Sequence, residues 1–454
     1  MLKKAKTTVK TTKTAAKTAV KTVAKTAKDL PAPSVMQSLM FWAATDKRLS
    51  PDDVSAARQY ISEYWGKLER YHPKDDESLL GVPHPYLVPS YDETASFDYN
   101  ELYYWDSFFM VQGLLDKKHQ KLVVGIVENL LTLFERFSAI PNASRTYLTG
   151  RSQPPFLTTF IYDVYNAFDL DKAWLKHAME IAKREYAVVW MGTRKPNERL
   201  VWEGLSRYYD INHLHDLAEA ESGWDMTPRF NRKALNYLPV DLNALLYKYE
   251  TDFARTARLF GDAKEATTWE KAAERRKKTM QKLMWDRYRG MYYDYNFAKQ
   301  RRGNVSSLAT FFPMWAGLVS EKQAESLVKA LRKFEQKGGL ATTDNLPLTQ
   351  QLTPGAMPVQ WAYPNGWAPL HFIVVEALIK YGYHEDAERI AQKWLRTNLE
   401  WFNEHGVFLE KYNVVNPDKP PQKGVYPSQT GFGWTNAVFE RFCRDFIDDA
   451  AAKG

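Results

Sequence analysis

The sequence predicts an all-α fold in which paired helices close into a ring. Three observations carry that expectation. About a dozen stretches have helical periodicity, neither a βαβ rhythm nor a series of alternating five-residue strands appears, and the loops alternate short and long. Those loops are dense in Pro, Gly, Asn and Trp. In a ring of this kind the long loops gather at one end and build the site.

The chain opens with a tail, residues 1–33, expected to be disordered. Residues 1–28 hold nine lysines and no acid. Lys13, Lys17, Lys21 and Lys25 recur every fourth residue, so a helix there would carry one stripe of like charge. Ala, Thr and Val supply too little apolar bulk to offset the ordering entropy. Setting those nine lysines aside leaves 53 of the 62 basic residues against 54 acidic ones, so the rest of the chain is near neutral, at −1. The net charge of +8 therefore belongs to the tail, and a nucleic-acid role for the body loses its main support. The tail itself reads either as a weak grip on polyanions or as a solvated solubility segment. It has no apolar h-region, no Arg and no Ser, which argues against a secretory or mitochondrial leader and for a cytoplasmic protein.

Residues 34–454 read as one domain. Ser50-Pro51 is an N-cap followed by Pro at the first helical position, and an amphipathic run continues to about Tyr71. Further helices are expected at roughly 101–115, 119–138, 156–167, 170–190, 240–260, 263–284, 305–318, 320–334, 366–381, 384–402 and 433–450. One strand-like piece spans Met291-Tyr292-Tyr293-Asp294-Tyr295. Hydrophobic residues at 44% and charged residues at 26% fit a globular protein, and no run of eighteen apolar residues offers a membrane span. The lone cysteine, Cys443, excludes an internal disulfide and a cysteine-built metal site, and reads as a packed thiol.

Five loop segments put carboxylates or amides among aromatic residues, four of them with Trp and three with Gly. They are Glu221-Ser222-Gly223-Trp224-Asp225, Phe408-Leu409-Glu410-Lys411-Tyr412, Glu101-Leu102-Tyr103-Tyr104-Trp105-Asp106, Gln360-Trp361 with Pro364-Asn365-Gly366-Trp367, and Gly431-Phe432-Gly433-Trp434-Thr435-Asn436. The combination suits carbohydrate: aromatic rings cover the apolar faces of a sugar, and polar side chains bond its rim of hydroxyls. Cleaving a glycosidic bond takes two carboxyl groups in different protonation states. In an inverting enzyme they stand about 6.5–9.5 Å apart. Asp225 beside Trp224 is the candidate acid and Glu410 the candidate base. Each segment alone has a plainer reading. Asp225 would be a turn or cap residue, Glu410-Lys411 a surface ion pair, and Trp105, Trp361 and Trp434 core.

Taken together, these segments resemble trehalases of glycoside hydrolase family 37 across roughly residues 80–445, in the family's order. Pro141-Asn142, Ser144-Arg145-Thr146-Tyr147 and Arg151-Ser152-Gln153-Pro154-Pro155 are similar to that family's long loop. The resemblance implies an (α/α)6 toroid and metal-independent, cofactor-free, inverting hydrolysis of α,α-trehalose to glucose. It implies Asp225 as general acid and Glu410 as general base, with Trp105, Asp106, Asn142, Arg151, Gln153 and Trp361 lining the sugar sites. The matching segments add Arg207, Gly223 and Trp434. The implied partner is a small disaccharide, with neither specific nucleic acid nor membrane insertion.

The sequence also departs from the family pattern. A family arginine falls at Asp98, a family glutamate at Val425, and the Asp of the Gln-Trp-Asp signature is Ala362. Ile211-Asn212-His213-Leu214-His215 stands where an Arg-Pro-Glu-Ser stretch is expected. Lost rim bonds of that kind weaken trehalose recognition. Two alternatives therefore stay open: hydrolysis of another small α-linked glycoside, with His213, His215 or Asp98 filling the vacated positions, or a toroid that binds sugar without turnover.

Overall fold

The computed structural model of the chain describes residues 48–92, 99–345, 359–422, 424 and 428–448. All of these except Arg48 fall in one compact unit that begins at Leu49. The Lys-rich tail, Asp98 and Val425 lie outside the described residues.

Twelve main helices among the described residues alternate between two environments. One set is buried nearly all round: α2 (Tyr104–Val111), α4 (Leu157–Ala167), α7 (Val240–Leu259), α9 (Phe312–Trp315), α11 (Ala368–Lys380) and α13 (Gly433–Cys443). The other set buries only a stripe: α1 (Pro51–Leu68), α3 (Gln120–Phe137), α5 (Lys172–Glu185), α8 (Ala263–Leu283), α10 (Glu321–Leu331) and α12 (His384–His405). A helix that is apolar on every side belongs inside, and an amphipathic one outside. A short helix, α6 (His215–Ala220), lies in a loop.

The inner set closes on itself. Helix α4 packs on α7, α7 on α9, α9 on α11, α11 on α13 and α13 on α2. Phe108 of α2 completes the circuit, with its ring 4.4 Å from Phe156 and 5.9 Å from Phe160 of α4. Closure at the α2–α13 seam needs Gly113, where a Cβ would lie 2.7 Å from the Ala437 Cα. Six inner and six outer helices make an (α/α)6 toroid.

Helix boundaries follow their local signals. Helix α1 starts at Pro51 under a capping box, in which Ser50 and Asp53 satisfy each other's backbone N–H. Two expected helices are shorter as regular α-helix than their apolar runs. Residues 170–190 end in a π-turn from Tyr186, and the run to 450 turns π at Arg444. The stretch at 305–318 is a 3₁₀ turn, Leu308–Phe311, followed by one α-turn. The strand-like piece forms, but in two parts. Met291–Tyr292 pairs with Trp285–Asp286, whereas Tyr295–Asn296 joins Tyr237–Leu238 and Arg301–Arg302 in a three-stranded sheet. A pairing of Asn365–Trp367 with Lys411–Asn413 fastens two distant loops side by side.

Candidate active site

Asp225 sits in the loop after α6. Gly223 turns the chain there with φ +73°, and any Cβ on it would strike the Trp105 ring at 2.5 Å. Both facts demand glycine. The Trp224 ring is held between Trp361, 5.5 Å away and nearly parallel, and the Arg229 guanidinium at 4.3 Å. Arg229 is wholly buried and forks onto Asp241 (2.6 and 3.1 Å) and Asp294 (2.8 and 3.0 Å). Gln360 Nε2 donates to the Asp225 carbonyl at 2.7 Å, and the Trp361 N–H donates to that of Met226 at 3.1 Å. The Asp225–Met226 peptide is cis.

Glu410 reaches the same space from the other side. Its N–H donates to the Gln429 carbonyl, and its own carbonyl accepts from Trp434 Nε1 at 3.0 Å. Its carboxylate meets Lys411 Nζ at 2.6 Å. The Lys411 ammonium also lies 5.0 Å from the centre of the Trp367 ring. The pair, for which a surface ion pair was the plainer reading, is fully buried, at 1% and 0% exposure. The strand pairing with Asn365–Trp367 explains this, because it lays Lys411 directly opposite Trp367.

The electrostatics tie the two sides together. Asp225 keeps part of its surface accessible yet is packed round by protein, as at the floor of a recess. Burial, reinforced by the Glu410 charge, pushes its carboxyl up to about 7 against the opposing pull of Arg151 and Lys411. Asp106, in the first turn of α2, is pushed to about 8 by burial and by the charges of Asp225 and Glu410. Tyr99 is raised by burial and by the same three carboxylates. Asp106, Asp225, Glu410 and Tyr99 therefore lie near enough to act on one another's charge.

The remaining expected site residues divide into groups. Gln153 Oε1 accepts from the Trp105 N–H at 2.9 Å, and its side chain also bonds Asp106. Arg151 Nη1 meets Asp210 at 3.1 Å, while its Nε is buried with no partner among the described residues. Asn142 Nδ2 donates to the Ser152 carbonyl, fixing the long loop. Trp105, Trp361 and Trp434 are almost wholly covered. Trp361 stacks on Trp367 at 3.8 Å and 3°, and Trp105 stands 5.6 Å from Trp361 and 6.0 Å from Trp434. Arg207 donates to the carbonyls of Glu198, Leu235 and Asn197, so its bonds brace the neighbouring hairpin. Among the candidates for the vacated family positions, His213 is exposed with its ring against Tyr209, and His215 Nδ1 accepts from the Leu235 N–H.

Sequence reasoning passed over three buried features. Arg199 pairs with Glu221, whose carboxylate also accepts from the Ser152 and Tyr209 N–H groups at 2.7 and 2.6 Å. That bond set locks the long loop to the acid loop, and nothing near Arg199 in sequence signals it. Glu219 accepts from the Thr227 N–H at 2.7 Å and is raised to about 8, chiefly by burial. Asn436 is fully buried, with neither end of its amide partnered among the described residues. The Gly-Phe-Gly-Trp-Thr-Asn segment was its signal.

Comparison with known proteins agrees with this architecture. The model of the trehalase family matches residues 2–221 and 209–446. The cytosolic neutral trehalase of Emericella nidulans is 33% identical over 82% of this chain and 59% of its own length. The periplasmic trehalase of Escherichia coli O8 is 31% identical, over 86% of this chain and 74% of that protein. The structure of neutral trehalase Nth1 from Saccharomyces cerevisiae aligns with TM-score 0.70 at 29% identity, covering 87% of this chain and 81% of that one. The chain spans under three fifths of the length of the first fungal relatives, at 59% and 56%. Half or more of the sequence matching the family model, with relatives above 30% identity over most of its length, places the chain in the trehalase family.

Proposed function

We propose that this protein is an inverting glycosidase that hydrolyses α,α-trehalose to two glucose molecules, with Asp225 as general acid and Glu410 as general base. The observation that carries the reading is the contrast between the two carboxyl groups. Burial lets Asp225 hold a proton near neutral pH, as an acid must. The Lys411 ammonium at 2.6 Å balances a negative charge on Glu410, as a base requires.

In the proposed reaction Glu410 takes a proton from a water molecule as that water attacks the anomeric carbon. Asp225 gives its proton to the glycosidic oxygen as the carbon–oxygen bond breaks. One glucose leaves with inverted anomeric configuration and the other with its original α configuration. Solvent exchange restores both groups. Asp106, Arg151, Gln153 and Asn142 would bond sugar hydroxyls. Trp105, Trp361 and Trp434 would form the rigid wall behind them, Gly223 would admit Trp105 to that wall, and Arg207 would brace the loop beside it.

We further propose that residues 34–454 act as one catalytic domain preceded by the basic tail, and that the protein works in the cytoplasm. The names of the fungal relatives as cytosolic neutral trehalases support that location. Among the described residues no helix is long and apolar enough to cross a membrane.

Proton NMR tests the proposal. Purified protein mixed with α,α-trehalose should release α- and β-glucose in equal early amounts, and Asp225→Asn should release neither. Early α-glucose alone would mean retention and remove Glu410 from the role of base. No glucose at all, with turnover of another α-glycoside from a panel, would move the substrate; no turnover of any would leave a sugar-binding toroid. The Asp that the family signature has at Ala362 makes the panel worth running, because Ala362 is buried and offers no polar atom on its side chain.

A further inference from the structure

A second recess, of about 560 Å³, shares no lining residue with the carboxylate site. Its floor is the three-stranded sheet of Tyr237–Leu238, Tyr295–Asn296 and Arg301–Arg302. Five cationic residues line it, namely Lys233, Arg289, Lys299, Arg301 and Arg302, and no acidic residue does. Arg289 has a counter-charge in Asp286 at 3.0 Å. Arg302 Nη2 donates to the Lys282 carbonyl at 3.1 Å, while its Nε is buried with no partner among the described residues. Four asparagines complete the polar lining.

A lone exposed lysine is an ordinary solvated charge. Five cations converging on one concavity without an acid repel one another, and an anion bound among them relieves that repulsion. Arginine forks match phosphate oxygens in pairs, and asparagine amides suit a hydroxyl-bearing body. The volume lies within the range of small-molecule sites, about 300–1,000 Å³, and nine of the eleven lining residues are cations or asparagines. We infer that this recess binds a small phosphorylated metabolite, a sugar phosphate or a nucleotide, through its phosphate oxygens. The recess wall from Asn231 to Tyr237 continues directly from the loop that carries Asp225 and Arg229.

Isothermal titration of the full chain at about 0.15 M salt, where surface attraction is largely screened, tests this. The probes are inorganic pyrophosphate, glucose 6-phosphate and ATP. One saturable site is expected per chain, and the better of the two organic probes identifies the source of the phosphate. Lys233→Glu with Arg301→Glu should weaken binding by about tenfold or more per side chain. The neutral pair Lys299→Gln with Arg301→Gln should weaken it less, which guards against misfolding of the charge-reversed protein. Lys172→Glu with Lys176→Glu, on the exposed face of α5, should change nothing. Binding that survives the recess substitutions, falls equally in the α5 control, or fails to saturate overturns the inference. So does a single-stranded oligonucleotide that binds with the recess dependence while the three small probes do not.

Discussion

The loop from Glu221 to Arg229 and the strand after Leu409 each present a buried carboxyl to one volume, and they handle its charge in opposite ways. Around Asp225 the cations are placed elsewhere: Arg229 is turned onto Asp241 and Asp294, and Arg151 onto Asp210. The acid loop therefore keeps its carboxyl near a neutral form, with burial raising it to about 7. In the other segment the neighbouring residue in sequence is itself the cation, and the strand pairing forces it inward onto Glu410. Two carboxyl groups of like chemistry thus meet unlike surroundings through what the backbone allows beside each one, which is the contrast that the proposed acid and base roles require.

The largest expected effect tests whether both members of that pair are needed. Asp225→Asn or Glu410→Gln should lower turnover by about 10²–10⁴-fold with an unchanged circular dichroism spectrum. Wild-type rates in both variants would discard the assignment. The alkaline limb of the wild-type kcat/KM profile should lie near pH 7, because activity is lost as Asp225 gives up its proton. A limb two units higher would mean that Asp225 is not the titrating acid.

Breaking the second environment comes next. Lys411→Met removes the cation beside a buried carboxylate and should cost about 3–5 kcal/mol of stability in denaturant unfolding. Combining it with Glu410→Gln should recover part of the lost stability; strictly additive losses would mean that the two side chains do not interact.

Gly223→Ala perturbs the first environment through its backbone. The left-handed φ and the approach to Trp105 predict a loss of about 1–3 kcal/mol, with a matching shift in the unfolding midpoint. Unchanged stability would show that the loop relocates freely.

The last test concerns the pH dependence that Asp106 gives to stability. Its carboxyl is raised from 3.8 to about 8 in the folded protein, so between those pH values the native state holds a proton that the unfolded chain has released. Stability from this group is present at low pH and falls as pH rises through that window. Asp106→Asn should flatten the decline of stability between pH 4 and 8, and an unaltered slope would remove Asp106 from the shared field.

Local chemistry was the legible part of this molecule. Ser50 with Pro51 marks the start of α1, and the runs that become α3, α7, α8 and α12 are bounded to within a few residues, because capping and apolar periodicity act over one or two turns. The segments bearing Asp225 and Glu410 stand out for the same reason: a carboxylate after Gly223-Trp224, and one between Phe408 and Tyr412, are visible in six letters. The Arg199–Glu221 lock and the Arg229–Asp241–Asp294 cluster were not visible. They join loops separated by 22 and 65 positions, and no short-range pattern encodes such a distance. The burial of Lys411 was not legible either, because a charged pair adjacent in sequence is ordinarily solvated.

By itself the sequence determined where most of the helices lie and which loops carry carboxylates beside aromatic rings. The tertiary structure alone decided the surroundings of the two carboxyl groups. Desolvation and counter-charge depend on what surrounds a group in three dimensions, and here those surroundings come from remote segments: Gln360 on the Asp225 carbonyl across 135 positions, and Trp367 opposite Lys411. Ring closure between α2 and α13 holds the Glu410 segment, through Trp434, beside Trp105 and Asp106 at the start of α2.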